Sequence, residues 1–235
     1  LLCQAILNFT MRPHLDRAAV PLHGIILLVG PPGTGKTSLA RGLASRTASA
    51  VKRLGKFRYL EVEPHALASA SLGKSQQAVR DLLGSTVAEH ANAGPLIVVL
   101  DEVETLAADR TKMSLEANPV DVHRATDAVL AQLDQLAVNH PKLLFIATSN
   151  FANAIDPAFL SRADLIVRVG LPTEQACHAI LVNTVAELSK AFPRLKRLVD
   201  DPAMKSAARE SVGLDGRRIR KAVLSGFTYD KETAL

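Results

Sequence analysis

Apolar residues fall along this chain in two alternating rhythms. Ile25-Ile26-Leu27-Leu28-Val29, Pro95-Leu96-Ile97-Val98-Val99-Leu100 and Lys142-Leu143-Leu144-Phe145-Ile146-Ala147-Thr148 are nearly unbroken apolar runs, the pattern of strands buried on both faces. Phe57-Arg58-Tyr59-Leu60-Glu61-Val62 is a short half-buried strand, and Leu165-Ile166-Val167-Arg168-Val169 reads as a last one. Between these runs lie helical stretches: one opening at Ser38-Leu39-Ala40, one over 75–89, and a long one in which Val122, Thr126, Val129, Leu133 and Leu136 recur at intervals of four and three. Strand alternating with helix predicts an α/β fold, a parallel sheet sandwiched by helices. The strand signal ends near residue 170. Pro172-Thr173-Glu174 reads as a helix start, with Thr173 as cap and Glu174 at the positive end of the helix dipole. The expected organisation is a large α/β subdomain over 1–170 and a small all-helical lid over 171–235.

The first strand runs directly into Gly30-Pro31-Pro32-Gly33-Thr34-Gly35-Lys36-Thr37, and Ser38 continues into helix. Strand before and helix after is the setting that separates a phosphate-binding loop from a chance match to its spacing. The glycines let backbone N–H groups converge on phosphate oxygens, Lys36 reaches the β and γ phosphates, and the Thr37 hydroxyl suits Mg²⁺. The helix N-terminus adds partial positive charge.

Two further polar groups end apolar strands, where an open α/β sheet places its ligands. After Leu100 come Asp101, suited to hold Mg²⁺ through water, and Glu102, suited to take a proton from an attacking water. Such a pair can also merely cap a helix, and the upstream phosphate loop is what favours chemistry. After Thr148 come Ser149 and Asn150; the amide can orient the lytic water, where an isolated Asn would form a turn.

A hydrophobic share of 48% with 22% charged residues describes an ordinary globular chain and argues against disorder. Cys3 and Cys177 form no CxxC pair and no disulfide framework, which suits a reducing compartment; both read as small buried apolar residues. No run approaches the roughly 18 apolar residues of a membrane span, and Leu1 to Phe9 lacks a basic flank and a cleavage site, so a cytoplasmic location is expected. The net charge of +5 gathers late, in residues such as Lys190, Arg194, Arg209, Arg217, Arg218 and Lys221. Asp200, Asp201, Glu210 and Asp215 interrupt that series, and no aromatic residues are interleaved for base stacking, so nucleic acid is not an expected partner.

Together, a GPPGTGKT loop, a strand ending in Asp-Glu, a strand ending in Thr-Ser-Asn and a helical C-terminal portion resemble the AAA+ ATPases. Four stretches narrow the resemblance to the Pch2/TRIP13 subfamily, hexameric ATPases that remodel HORMA-domain proteins: the segments around Asp101-Glu102-Val103-Glu104, around Pro119-Val120-Asp121 and Arg124, around Ser161-Arg162-Ala163-Asp164, and around Gly213-Leu214-Asp215-Gly216-Arg217. The resemblance implies ATP and Mg²⁺ as cofactors, a homo-hexameric ring and a HORMA-domain partner. It implies Glu102, Asn150 and Arg162 as catalytic residues, Arg162 reaching the nucleotide of the neighbouring subunit. Arg217 would swing from the lid onto the phosphates. Ser71-Leu72-Gly73 looks like the substrate pore loop, with Ser71 where threading relatives usually carry an aromatic. An alanine-rich composition fits the bacterial regulators of nucleotide-signalling defence. The alternative is a DNA-associated AAA+ loader or initiator, which the interrupted charge pattern disfavours.

Overall fold

A computed structural model of the chain describes residues 1–62, 75–108 and 119–226. The pore-loop residues Ser71, Leu72 and Gly73 lie outside these described residues. The chain separates into two compact units, one of Leu1–Gly30 with Lys36–Arg168, the other of Pro31–Gly35 with Val169–Leu235.

In the larger unit, β1 (Ile25–Val29), β2 (Arg58–Val62), β3 (Leu96–Leu100), β4 (Leu143–Ser149) and β5 (Leu165–Arg168) form a wholly parallel sheet in the order β2-β3-β4-β1-β5. The apolar runs explain that order. β1, β3 and β4 are buried along their whole length, whereas β2 and β5 at the edges alternate between buried or half-buried and exposed positions. Helix α1 (Leu2–Thr10), α2 (Lys36–Ala50), α3 (an α-helical Ser75–Val79 that widens to a π-helix over Arg80–Val87 and resumes over Ala88–Asn92) and α4 (Pro119–Asn139) belong to this unit, with the short α5 (Pro157–Leu160) leading into β5. The periodic residues Thr126, Val129, Leu133 and Leu136 of α4 are buried, and the last three join Leu83 and Val87 of α3 in one core with β1, β3 and β4.

Strand order sets where chemistry can gather. Leaving β1 the chain crosses to the far edge at β2 and returns through β3 and β4, so the C-terminal ends of β3, β4 and β1 stand side by side where the strand order reverses. Register then decides which residues meet there: Leu100 pairs with Ala147 and Val29 with Ser149, so Asp101, Thr148 and Gly30 arrive at one edge.

The smaller unit is helical after β5: α6 (Glu174–Leu188), a 3₁₀ turn at Pro193–Leu198, α7 (Ala203–Glu210) and α8 (Gly216–Gly226). Thr173 caps α6, its hydroxyl accepting from the Ala176 N–H at 3.3 Å. Cys177, Leu181, Ala208 and Ile219 make its small core. Of the two cysteines expected inside, Cys177 is buried, but Cys3 is exposed on α1, whose inward face is taken by Ala5, Asn8 and Phe9. Within this unit the Gly216 N–H donates to the Gly33 carbonyl at 3.1 Å. Gly33 has φ +78°, and a Cβ there would lie 2.3 Å from Asp215 Oδ1, so only glycine fits at that point of the loop.

Candidate functional site

The loop from Gly30 to Thr37 leaves β1 and enters α2 at Lys36. Gly30 is tied to β4 by its N–H, which donates to the Ser149 carbonyl at 3.1 Å, and the Thr34 hydroxyl donates to the Pro31 carbonyl at 2.9 Å. Gly35 has φ +89°, and nothing lies within 4 Å of where a Cβ would stand, so the loop presents open backbone there. Pro31, Pro32 and Ser38 are at least partly exposed.

Lys36 is folded inward, with 6% of its surface exposed. Its Nζ donates to the Gly30 carbonyl and to Asn150 Oδ1, both at 2.8 Å. The Asn150 amide in turn donates from Nδ2 to Glu102 Oε1 at 2.9 Å. Lysine, amide and glutamate are therefore one hydrogen-bonded chain from the start of α2 to the residues that follow β4 and β3. Burial lowers the Lys36 pKa below the usual lysine range, and the carboxylates of Glu104, Asp101 and Glu102 oppose that shift. The Thr37 hydroxyl donates to Asp101 Oδ1 at 2.9 Å.

Glu102 is the one described non-glycine residue with positive φ, at +52°. A left-handed conformation costs a side-chain-bearing residue on the order of 1–2 kcal/mol, and strain of that kind collects at functional positions. The turn is held by the Thr105 N–H and hydroxyl, which donate to the Glu102 carbonyl at 3.0 and 2.9 Å.

Two polar residues at this edge carry no role that the sequence announces. Thr148, 1% exposed, donates a hydrogen bond to Asp101 Oδ1 and accepts from the Glu102 N–H at 3.1 Å. Glu104 accepts the Asn150 N–H on Oε1 at 3.0 Å, while its buried Oε2 has no hydrogen-bond partner among the described residues. A threonine closing an apolar strand looks like any β-branched strand residue. Only the register of β3 against β4 turns it toward the carboxylates.

The two arginines have other partners. Arg162, just after α5, gives Nε and Nη2 to the two oxygens of Asp134 on α4 at 2.9 and 2.7 Å, and Nη1 to the Ala158 carbonyl at 2.7 Å. The two-point hydrogen bond raises the Arg162 pKa and lowers that of Asp134. Two residues on, Asp164 serves the backbone. Its carboxylate accepts the N–H groups of His23, Gly24 and Ile25 at 2.9, 2.6 and 3.1 Å and so caps the start of β1. Arg217 is exposed in the first turn of α8, its N–H bonded to Asp215 Oδ1 at 2.9 Å.

The donor set fits a magnesium nucleotide. One hydroxyl and one carboxylate on adjacent elements, with a lysine near them, suit a hard cation that takes its remaining ligands from phosphate and water. The buried Oε2 of Glu104 adds negative potential at the same edge.

Comparison with known proteins agrees with this chemistry. The model of the ATPase family associated with various cellular activities (AAA) matches residues 26–171. CD-NTase-associated protein 6 of Pseudomonas aeruginosa is 60% identical over all of this chain and 77% of its own length. A pachytene checkpoint protein 2 homolog of Danio rerio is 33% identical over 94% of this chain, which spans only 57% of that protein. Among solved structures, C. elegans PCH-2 superposes with a TM-score of 0.76 at 27% identity, over 99% of this chain and 62% of the other. The fold also matches a chain of the E. coli MS115-1 HORMA:CdnC:Trip13 complex, with a TM-score of 0.65 at 18% identity over 86% of this chain and 72% of that one.

Proposed function

The chain belongs to the AAA family of ATPases and to its Pch2/TRIP13 branch, and from that premise we propose that it hydrolyses ATP to remodel a HORMA-domain protein in a bacterial nucleotide-signalling system. The observation that carries the catalytic part is the continuous chain Lys36–Asn150–Glu102 at the C-terminal edge of the sheet, beside the Thr37–Asp101 pair. Kinship supports the partner: 60% identity with a CD-NTase-associated protein, beside a fold shared with a chain of a HORMA:CdnC:Trip13 complex.

In this reading Lys36 leaves the Gly30 carbonyl and Asn150 to meet the β and γ phosphates. Thr37 and, through water, Asp101 hold Mg²⁺, which when bound neutralises charge on the phosphate oxygens. Glu102 takes the proton of the attacking water, and Asn150, anchored by Glu104 at its N–H, orients that water beside it. Arg162 acts in trans on the nucleotide of a neighbouring subunit in a homo-hexameric ring, exchanging Asp134 for phosphate, and Arg217 engages the phosphates from the lid. Ser71-Leu72-Gly73 contacts the threaded segment of the partner. Among the described residues no helix is long and apolar enough to cross a membrane, and the working location is the cytoplasm.

Affinity capture with Glu102→Gln in ATP tests the proposal. A HORMA-domain protein retained with ATP and released with ADP is the expected result; DNA retained in its place would favour a loader.

A further inference from the structure

We infer that Thr148 is a positioning residue for hydrolysis, a single buried hydroxyl that sets Asp101 and Glu102 together. The inference rests on reading this edge as an ATP-hydrolysing site.

Hydrogen-bond arithmetic fixes the direction of each contact. An ionised carboxylate only accepts, so the proton of the Thr148 hydroxyl goes to Asp101 Oδ1, and its lone pairs receive the Glu102 N–H at 3.1 Å. The same Oδ1 takes the Thr37 hydroxyl at 2.9 Å, so two hydroxyls from different elements fix the rotation of that carboxylate. Residues 101 and 102 are thus tied by one atom: Thr148 Oγ1 holds the side chain of the first and the N–H of the second.

That grip falls on the strained turn. Glu102 stands at φ +52°, and its N–H is held by a side chain that at the same time touches Asp101. The contacts of the turn from Thr105 to the Glu102 carbonyl and from Asn150 to Oε1 hold Glu102 alone. Removing the Thr148 hydroxyl frees Asp101 to rotate and leaves a part-buried N–H without its partner, so both carboxylates lose their setting in one step. Outer-shell groups that orient metal-side ligands in this way are worth about 10- to 100-fold in activity or metal affinity.

Thr148→Ser, Thr148→Ala and Thr148→Val separate the hydroxyl from the packing. Ser and Ala both lose the methyl group, so the stability loss that comes from the methyl cancels between them and Ala alone also lacks the oxygen; Val keeps the shape and loses the oxygen. The readouts are ATP hydrolysis against ATP and Mg²⁺ concentration, ATP affinity by calorimetry, and hydrogen exchange at the Glu102 amide. Thr148→Ser should retain turnover within about threefold, whereas Ala and Val should lose about 10- to 100-fold in kcat, need more Mg²⁺ and bind ATP nearly as before. The Glu102 amide should exchange faster in Ala and Val and not in Ser. Ala turning over as fast as Ser, or a Glu102 amide equally protected in all three, overturns the proposal. If Val does not fold, the Ser and Ala pair decides. A wild-type protein without hydrolysis would sink the ATPase reading, and amide exchange would still report whether Thr148 clamps the turn.

Discussion

At the N-terminal end of the sheet, the Arg12 guanidinium, 6% exposed, is shared among Asn8 Oδ1 and the carbonyls of Ala137 and Leu143, at 3.1, 3.1 and 2.8 Å, while Asp164 takes three consecutive backbone N–H groups. At the C-terminal end, Lys36, Asn150 and Glu102 bond to one another and Thr37 and Thr148 to Asp101, Glu102 is strained, and a carboxylate oxygen of Glu104 is buried without a hydrogen-bond partner among the described residues. Each end buries a cation near partly buried carboxylates. At the first, charged groups bond mainly to backbone carbonyls and amides at the strand and helix ends, which is a structural use. At the second, side chains hold one another, and the proposed function gives that arrangement a nucleotide to meet. Polarity alone does not mark a site in this fold; what marks it is polar groups whose partners are other polar side chains, held under strain.

The largest test of that contrast is to remove one group from the reactive end. Lys36→Ala should abolish nucleotide binding, because in the proposed function its ammonium is the cation that meets the phosphates. Glu102→Gln keeps an acceptor for the Asn150 amide and should bind ATP while losing about 10²- to 10⁴-fold in turnover. Its unfolding midpoint should stay close to that of the wild type, since an amide has the shape of the carboxylate it replaces. Mixed with Arg162→Ala, the Glu102→Gln protein should regain hydrolysis in shared rings, because a wild-type arginine then faces a wild-type glutamate across a subunit boundary. Equal loss of ATP affinity in both Lys36 and Glu102 variants, measured by calorimetry, or no rescue at any mixing ratio, would contradict these roles.

The opposite end should respond in the opposite sense. Arg12→Ala removes the donor for Asn8 and for the Ala137 and Leu143 carbonyls, all buried, and should cost about 3 kcal/mol of stability in urea unfolding. Burial holds the Arg12 pKa down to about 10 against the pull of Asp164, so its charge persists throughout the neutral range and the loss should not vary between about pH 6 and pH 8. ATP turnover per folded molecule should stay within about twofold of wild type, because the group supports backbone and touches no reacting atom. A folded Arg12→Ala protein that binds ATP poorly would mean that the two ends are coupled.

Sequence reading reached the reactive end more fully than the structural one, for a physical reason. A phosphate loop needs particular residues at fixed spacing, so Gly30 to Thr37 is legible, as are the apolar strands that bring Asp101 and Asn150 to the same edge. The five strands lie where the apolar runs place them, to within one residue at either end. Arg12, Asn8 and Asp164 carry no such spacing: each satisfies carbonyls or amides more than a hundred residues away in sequence. Thr148 and Glu104 were hidden for a related reason, since their roles depend on strand register and on the left-handed turn at Glu102, which no residue type announces. Arg162 was legible as an arginine in a characteristic segment, but its carboxylate partner Asp134 lies on another element.

The smallest expected effect sits between the two extremes, at His23 and Asp134, where a charged network neither caps much backbone nor touches the carboxylate cluster. Burial and the nearby Arg17 lower the His23 pKa, against the opposing pull of Asp134 and Asp164, and Arg162 lowers it slightly further. A base whose folded value lies below its unfolded one binds fewer protons when folded. Its contribution is therefore complete above the ordinary imidazole range and is lost as pH falls through it. Asp134, its pKa lowered by the Arg162 hydrogen bonds, contributes above the ordinary carboxylate range and loses that contribution only in stronger acid. Both slopes run the same way but in separate windows. Because Asp134 is partly exposed and solvent screens its contact with His23, each step should amount to about a few tenths of a kcal/mol. Urea midpoints followed from about pH 8 to pH 3 should fall in two shallow stages. His23→Gln should remove the first, Asp134→Asn the second, and a single stage that either substitution abolishes entirely would show that the pair titrates as one unit through their 3.2 Å contact.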